Sequence, residues 1–371
     1  MGARLAVPVL AVLALALAAG GCLDVLPWAH PPVVYPSIKP VKDASLPRIP
    51  TYTFPFQDFS VRIEVPVDPA VYAGAKVADK SARVYDRNVG EAEWRAGIYR
   101  ALMEDPAQEG FFSSLLSALR AVRDARSLDT DEYLELLAVF VQSIPYETDK
   151  AVDPRFPVEV FVDGAGDCDD KSLLLASLLA REGYRAALLY FGPEGHMAVG
   201  AGCDGPGYRG TGYAYIETTN VTYVGVPPRE LAGGVRLVSE PEVIPVGAGT
   251  LAYTRCGETG ELARAMEELR GDADALRARI SALEEDLSRR RATLDAMRRE
   301  MDALLRGGHV AEYNSRVPRY NVGVEEYNSL RSSLSGAVTR YNRLVELYNT
   351  FATRQYDREG MYRYLKSLRD V

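Results

Sequence analysis

The chain has 371 residues and a mass of 40.7 kDa, which predicts two domains with accessory segments. Hydrophobic residues make up 47% and charged residues 25%, as in globular proteins and unlike disordered or multi-span membrane chains. The net charge of -8 leaves no basic surplus for phosphates, so we exclude nucleic acid as a partner. Four cysteines and three histidines, without CxxC or HExxH spacing, predict no metal site.

The first 22 residues have the layout of an export signal. Arg4 precedes the apolar run 5–19, and Gly20 and Gly21 stand directly before Cys22. This layout resembles a lipoprotein signal, in which Cys22 is lipidated and becomes the mature amino terminus. Simple secretion and an uncleaved helix are the alternatives, although the run is short for a span of roughly 20 residues. We expect the rest of the chain outside the cytoplasm, attached to the membrane by a lipid.

Residues 23–58 are rich in proline, which fixes φ and removes a backbone donor, so we expect a semi-rigid stalk. The alternative is that the aromatic residues of this segment pack on the folded domain as a strap. We expect that domain to cover residues 59–255. It begins with an alternating strand at 59–66, and three amphipathic helices follow between residues 90 and 143.

The centre of the chain carries the residues suited to chemistry. A glycine-containing turn at 164–171 leads into an apolar helix at 172–181, which predicts that Cys168 lies at or just before a helix amino terminus. Unpaired N–H groups and the helix dipole favour a thiolate there. Asp167, Asp169 and Asp170 oppose a thiolate, so Cys168 needs a cationic partner. The alternative role of these aspartates is to cap the helix.

His196 is the best candidate for that partner. Strands are predicted at 185–191, 196–200 and 213–218. If these strands pair antiparallel, His196 and Glu217 can lie on one sheet face opposite Cys168. A thiol, an imidazole and an orienting carboxylate form a nucleophile, its base and the group that holds the base. Taken singly, each residue also has a structural explanation, such as a buried thiol or a surface histidine.

Three segments, GDCDDKSLLLASLL, EGHMAVG and YIETT, with the preceding QSIPY at 142–146, resemble the transglutaminase-like branch of the papain-like cysteine enzymes. The resemblance covers residues 139–219 and implies an α+β fold with an antiparallel sheet and helices. It implies Cys168 as nucleophile, His196 as general base and Glu217 as third member, where the family more often has Asp. Gln142 is a weak candidate for oxyanion stabilisation, in competition with the N–H of Cys168. The triad requires no cofactor.

Two further cysteines flank this region. Cys203 follows the strand of His196, and Cys256 follows the apolar stretch 243–253. In an oxidising compartment the two can form a disulfide, which would leave Cys168 as the free thiol once Cys22 is lipidated. The alternative is two separate thiols.

Residues 256–371 predict an antiparallel coiled-coil hairpin roughly 60 Å long. Apolar residues recur at spacings of four and three between 262 and 304, with Arg290 at one core place, and Gly307 and Gly308 then end the helix. The second helix repeats Tyr-Asn in heptad phase, which predicts a tyrosine-containing core; a ligand-stacking surface is the alternative. Pro318 should kink this helix or mark its start.

Together these features predict a cell-surface thiol enzyme that acts on amide bonds of a protein or peptide substrate through an acyl-enzyme. It would be a cysteine peptidase or amidase, or a transamidase. The motifs do not separate these outcomes, because access to the cleft decides the acceptor. The alternative is a non-catalytic surface scaffold whose hairpin binds a coiled-coil protein partner or a second copy of the chain.

Overall fold

The computed structural model describes residues 32–48, 50–86, 88–147, 153–231 and 234–369. The predicted signal segment, with Cys22, lies outside these residues. Helices combine with small antiparallel sheets, so the predicted α+β class is confirmed. Within the described ranges, no helix is both long and apolar enough to cross a bilayer.

The elements alternate between short strands and helices before the chain ends in three helices. The strands are β1 Val33–Val34, β2 Thr51–Phe56, β3 Phe59–Glu64, β4 Arg83–Val84, β5 Ala186–Phe191, β6 His196–Gly202, β7 Tyr213–Ile216 and β8 Glu242–Val246. The helices are α1 Pro69–Val77, α2 Glu91–Glu104, α3 Glu109–Arg126, α4 Thr130–Gln142, α5 Pro157–Asp163, α6 Cys168–Arg181, α7 Cys256–Arg306, α8 Val310–Ala352 and α9 Arg358–Arg369.

A four-stranded antiparallel sheet positions the candidate site. Its strand order is β7-β6-β5-β8, and helix α6 packs against β5 and β6. The leucines of α6 are fully buried, because the helix lies between the sheet and helices α2, α4 and α5. Val199 pairs with Ile216, so the start of β6 lies beside the residues that follow β7. The predicted antiparallel pairing of these strands is confirmed.

The last part of the predicted stalk is folded, which corrects the boundary at residue 58. Strand β2 pairs with β3, and Tyr52, Phe54 and Phe56 alternate into the core. Pro55 is tolerated because it lies in a two-stranded ribbon, where one edge needs no hydrogen-bond partner. For residues 51–56 the strap alternative is therefore the right one.

Helices α7 and α8 form an antiparallel hairpin around Gly307 and Gly308. Near this turn Arg316 Nη1 lies 2.7 Å from Glu300 Oε1, and farther along Arg290 pairs with Glu326. The 51 residues of α7 correspond to a length of about 75 Å, longer than the predicted hairpin. Helix α8 begins before Pro318, at Val310, so the hypothesis that this proline marks the helix start is wrong.

Helix α9 returns to the base of the hairpin and was not predicted. Met361 and Leu365 of this helix pack with Phe351 and Tyr223. The guanidinium of Arg358 donates from Nε to Glu135 Oε1 and from Nη1 to a glutamate of α7, both at 2.5 Å. Because Glu135 belongs to α4, this buried ion pair joins the hairpin base to the sheet domain.

Candidate active site

Cys168 is the first residue of α6, as the sequence predicts. The N-cap is Asp167, whose Oδ1 accepts hydrogen bonds from the N–H groups of Asp169, at 3.0 Å, and Asp170, at 3.1 Å. The capping role expected for the aspartates is therefore confirmed for Asp167. The thiol is 7% exposed, donates to Asp169 Oδ1 at 3.3 Å and accepts from the N–H of Met197.

The surroundings of Cys168 favour the neutral thiol. Burial raises the pKa of Cys168 well above its usual range, and the negative charge of Asp169 raises it further. The N–H of Met197 acts in the opposite direction but does not outweigh burial. The resting state therefore contains a thiol hydrogen-bonded to a carboxylate, and the helix amino terminus alone does not produce a thiolate.

His196 and Glu217 are brought together as predicted. His196 begins β6, and Glu217 comes directly after β7. The ring Nε2 lies 3.2 Å from Glu217 Oε2, and both residues are buried. Tyr215 joins them, since its hydroxyl donates to Glu217 Oε2 at 2.7 Å and lies 3.2 Å from His196 Nε2.

Tyr215 was not among the predicted site residues. The strand period of two was the signal that could have found it, because residues 215 and 217 share a face. Its hydroxyl position between the ring and the carboxylate could not be predicted without the fold.

The second carboxylate oxygen of Glu217 is held by the chain that follows it. Oε1 accepts from the N–H of Thr218 and the N–H of Thr219, both at 3.0 Å, and from Thr219 Oγ1 at 2.8 Å. Burial acts to raise the pKa of Glu217, but the bonds from His196 and Tyr215 outweigh it and hold the value at about 2. Glu217 is therefore an ionised, fixed acceptor.

The orientation of His196 leaves Nδ1 as the nitrogen that can turn to the thiol. Nε2 is engaged by Glu217 and Tyr215, while the neighbouring Met197 contributes the N–H that touches the sulfur. Among the described residues no hydrogen bond joins Cys168 to the ring. One turn after Cys168, Ser172 Oγ lies 3.2 Å from the carbonyl of Met197 and 3.2 Å from Thr218 Oγ1, so the helix of Cys168 packs on the strand ends of His196 and Glu217 while the thiol donates to Asp169.

Gln142 does not offer a donor to an oxyanion, which corrects that expectation. Its Nε2 donates to the carbonyls of Glu217, at 2.8 Å, and Thr222, at 3.2 Å, so both amide hydrogens are in use. Gln142 instead ties the end of α4 to the chain around Glu217.

Lys171 binds the turn that follows α4, and the sequence analysis did not identify this residue. This lysine is fully buried, and its Nζ lies 2.6 Å from the carbonyl of Ile144 and 3.3 Å from that of Gln142. Burial lowers the pKa of Lys171 to about 8, although Glu217 acts against this shift. Lys171 lies three residues after Cys168, on the same face of α6. Its bonds to the two carbonyls therefore fix the helix of Cys168 to the turn that Gln142 connects to Glu217.

One group of side chains could present several atoms to a cation. Asp167, Cys168 and Asp169 each place one ligand atom within 4.8 Å of the others. Asp167 is already used as the helix cap, and the thiol donates to Asp169. Capping and the thiol bond account for this cluster, so we assign it no metal.

Cys203 and Cys256 lie together as two thiols. Burial raises the pKa of Cys256 to about 12, and a hydrogen bond with Cys203 contributes to the shift. Cys203 directly follows β6, and Cys256 begins α7. Their contact is compatible with the disulfide, which stays a prediction.

Comparison with known proteins adds no family to this description. No protein-family model matches the chain, and no curated protein or solved structure is significantly similar to it. The functional assignment therefore rests on the residues themselves.

Proposed function

We propose that this chain is a transglutaminase-like thiol enzyme that acts on amide bonds through an acyl-enzyme. The observation that carries the proposal is convergence: His196 is in contact with Glu217, the helix that begins at Cys168 packs against the strand of His196, and all three residues are buried. The Nε2–Oε2 distance of 3.2 Å supports an oriented base, and the contact of Met197 N–H with the sulfur supports its position beside the nucleophile.

In the proposed reaction, His196 Nδ1 takes the proton of Cys168 Sγ as the sulfur attacks the amide carbon. A tetrahedral intermediate forms, and the backbone N–H of Cys168 is the donor proposed for its oxyanion. The imidazolium then gives the proton to the leaving amine, and the C–N bond breaks. Water then releases the acyl group from Cys168, as in a hydrolase, or a second amine takes the acyl group, as in a transamidase.

Glu217 supports this cycle by its charge and its fixed position. Because its pKa is held at about 2, it remains a carboxylate at neutral pH and stabilises the imidazolium formed during attack. Tyr215 and Thr219 donate hydrogen bonds to the two carboxylate oxygens of Glu217. Because the carboxylate is fixed, the His196 ring bonded to it cannot rotate freely. The proposal requires the thiol to leave Asp169 and turn to the imidazole before it attacks an amide carbon or an alkylating reagent.

A non-catalytic scaffold is the second candidate, and a specific observation favours it. The pKa of Cys168 is raised, and the thiol is bonded to Asp169 rather than to His196. In this alternative the sheet domain supports the helical hairpin, which carries the partner site. The same thiol distinguishes the two candidates, because only an enzyme needs it to be activated by His196.

The test is the alkylation rate of Cys168 between about pH 5 and pH 9, in the wild type and in His196→Ala. Peptide mass spectrometry separates this thiol from Cys203 and Cys256, and Cys168→Ala provides the blank. An enzyme should show rapid alkylation that falls by about tenfold or more without the imidazole. Equal rates in the two proteins across the pH range would reject the pairing and favour the scaffold.

We also propose that the chain is exported and attached to the membrane through Cys22. The layout of residues 1–22 supports this proposal. The wild-type protein should enter the detergent phase in phase separation, and Cys22→Ser should be released or left unprocessed. Recovery of both proteins in the aqueous phase without lipid would reject it.

A further inference from the structure

A group of exposed apolar side chains lies where the described chain begins. Val34 is 37% exposed, Tyr85 is 51% exposed, and Val77 at the end of α1 is 74% exposed. Isolated exposed side chains need no explanation, but neighbouring ones mark a surface of interaction.

An open cleft of about 330 Å³ lies between α1 and the ribbon of β1 and β4. Val34 and Val77 line this cleft, and Val34 pairs across the ribbon with Arg83. The strand period of two places Tyr85 on the side of Arg83. The N–H of Tyr85 bonds to the carbonyl of Pro32 at 2.8 Å, which keeps this residue against the ribbon. We call this surface the entry face.

The charges around the entry face differ from those of the whole chain. Lys39 and Arg83 line the cleft, with Asp79 beside Arg83 at 3.0 Å. Residues 32–86 contain seven Lys or Arg and six Asp or Glu, a net charge of +1, whereas the chain carries -8. The entry face therefore combines exposed apolar groups with a segment that lacks the acidic excess of the rest of the protein, and Lys39 supplies a positive charge at the cleft.

We propose that the entry face lies on an anionic lipid surface. Pro32 lies ten positions after Cys22, so a lipid attached to Cys22 keeps the face within about 35 Å of the bilayer. Valine and tyrosine suit the boundary between headgroups and acyl chains, and lysine and arginine suit anionic headgroups. This inference rests on the proposed lipid attachment and is independent of the proposed chemistry at Cys168.

The test places a tryptophan on the entry face of the full chain. Val77→Trp is compared with Val238→Trp, a matched control because Val238 is 76% exposed and lies outside the entry face. Each protein is bound to phosphatidylglycerol vesicles whose acyl chains carry a quencher, and emission is corrected for the parent protein. We expect the Val77→Trp emission to be quenched about twofold or more relative to the control.

A further variant and a second kind of vesicle distinguish a lipid surface from other partners of the entry face. Lys39→Glu in the Val77→Trp protein should reduce the quenching, and neutral phosphatidylcholine vesicles should reduce it as well. Equal quenching at the two positions would overturn the proposal. A blue shift of Val77→Trp that depends on protein concentration without vesicles would also overturn it, in favour of a second copy of the chain. Alkylation of Cys168 in the same variants reports separately on the proposed enzyme.

Discussion

The sheet domain and the helical hairpin differ in how much of each is buried. In the domain, α6 is buried along most of its length, and polar groups such as Lys171 and Glu217 are enclosed with their partners. In the hairpin, most of α7 and α8 is exposed, and only a few residues, such as Ala273 and Met301, are buried. Single substitutions should therefore cost much more at the buried polar contacts than along the hairpin.

The largest difference is expected at the candidate triad. His196→Ala and Cys168→Ala should each lower turnover of an amide or thioester probe by roughly 1,000-fold or more. The effects of the two substitutions should not add, because the two residues act as one catalytic unit. Glu217→Gln should lose less, because an amide oxygen still accepts from the ring N–H while the charge is lost. Release of the amine or thiol product measures these rates. Full activity of Cys168→Ala would contradict the proposed nucleophile.

Arg358 tests the connection between the two regions. Arg358→Met should lower the free energy of unfolding by about 3–5 kcal/mol, because Glu135 would remain buried without its cation. The control is Arg369→Met on the same helix, whose side chain is 51% exposed beside Glu261 and whose loss should cost less than about 1 kcal/mol. Urea denaturation of the full chain gives both values. Similar costs for the two variants would mean that the buried pair does not fix the hairpin base.

Lys171 predicts a pH dependence of stability. Its pKa is about 8 when folded and 10.5 when exposed, so between these values the unfolded chain binds more protons and stability rises with pH. Below the folded value both states are protonated and this contribution is absent. Over this range the wild type should gain at most about 3 kcal/mol relative to Lys171→Met, which lacks this group.

Urea titrations at a series of pH values give this slope, with Lys366→Met as the control. Lys366 is exposed beside Glu261, so its loss should leave the rise in place. The same slope from pH 8 to pH 10.5 in the wild type and in Lys171→Met would show that Lys171 does not carry the predicted change.

Asp169 offers a smaller effect at the thiol itself. Asp169→Asn removes a negative charge from the neighbour of Cys168 Sγ, so the thiolate becomes easier to form. We expect alkylation of Cys168 to become faster by roughly threefold to tenfold at neutral pH. Iodoacetamide kinetics measure the change, and the rates at Cys203 and Cys256 should stay constant. A slower reaction would mean that the carboxylate assists the thiol instead of restraining it.

Local pattern predicted the strands of His196 and Glu217, the helix of Cys168 and the two long hairpin helices, but not helix α9 or the polar contacts between the two regions. Heptad spacing located the hairpin turn at Gly307, and turn chemistry located Cys168 at a helix start. Gln142 was misassigned because its carbonyl partners, at Glu217 and Thr222, lie more than 70 residues away in the chain. The same limit hid Lys171, because a lysine in a helix gives no sign in the sequence that it is buried.

The smallest expected effect lies on the hairpin, at the residue that interrupts its apolar spacing. Arg290 occupies a core place of the heptad, is 46% exposed and pairs with Glu326. An exposed pair contributes at most about 1 kcal/mol, and a leucine here would restore apolar contact along the seam. Arg290→Leu should therefore leave the free energy of unfolding unchanged within about 0.5 kcal/mol or raise it slightly.

Urea denaturation of the full chain measures this change, with Arg290→Ala as the variant that removes the pair without adding apolar surface. Arg290→Ala should be the less stable of the two, because only the leucine compensates for the lost pair. A loss above about 2 kcal/mol in Arg290→Leu would show that polar pairing governs the hairpin. The contrast with Arg358 would then disappear, since an exposed pair would cost as much to break as a buried one.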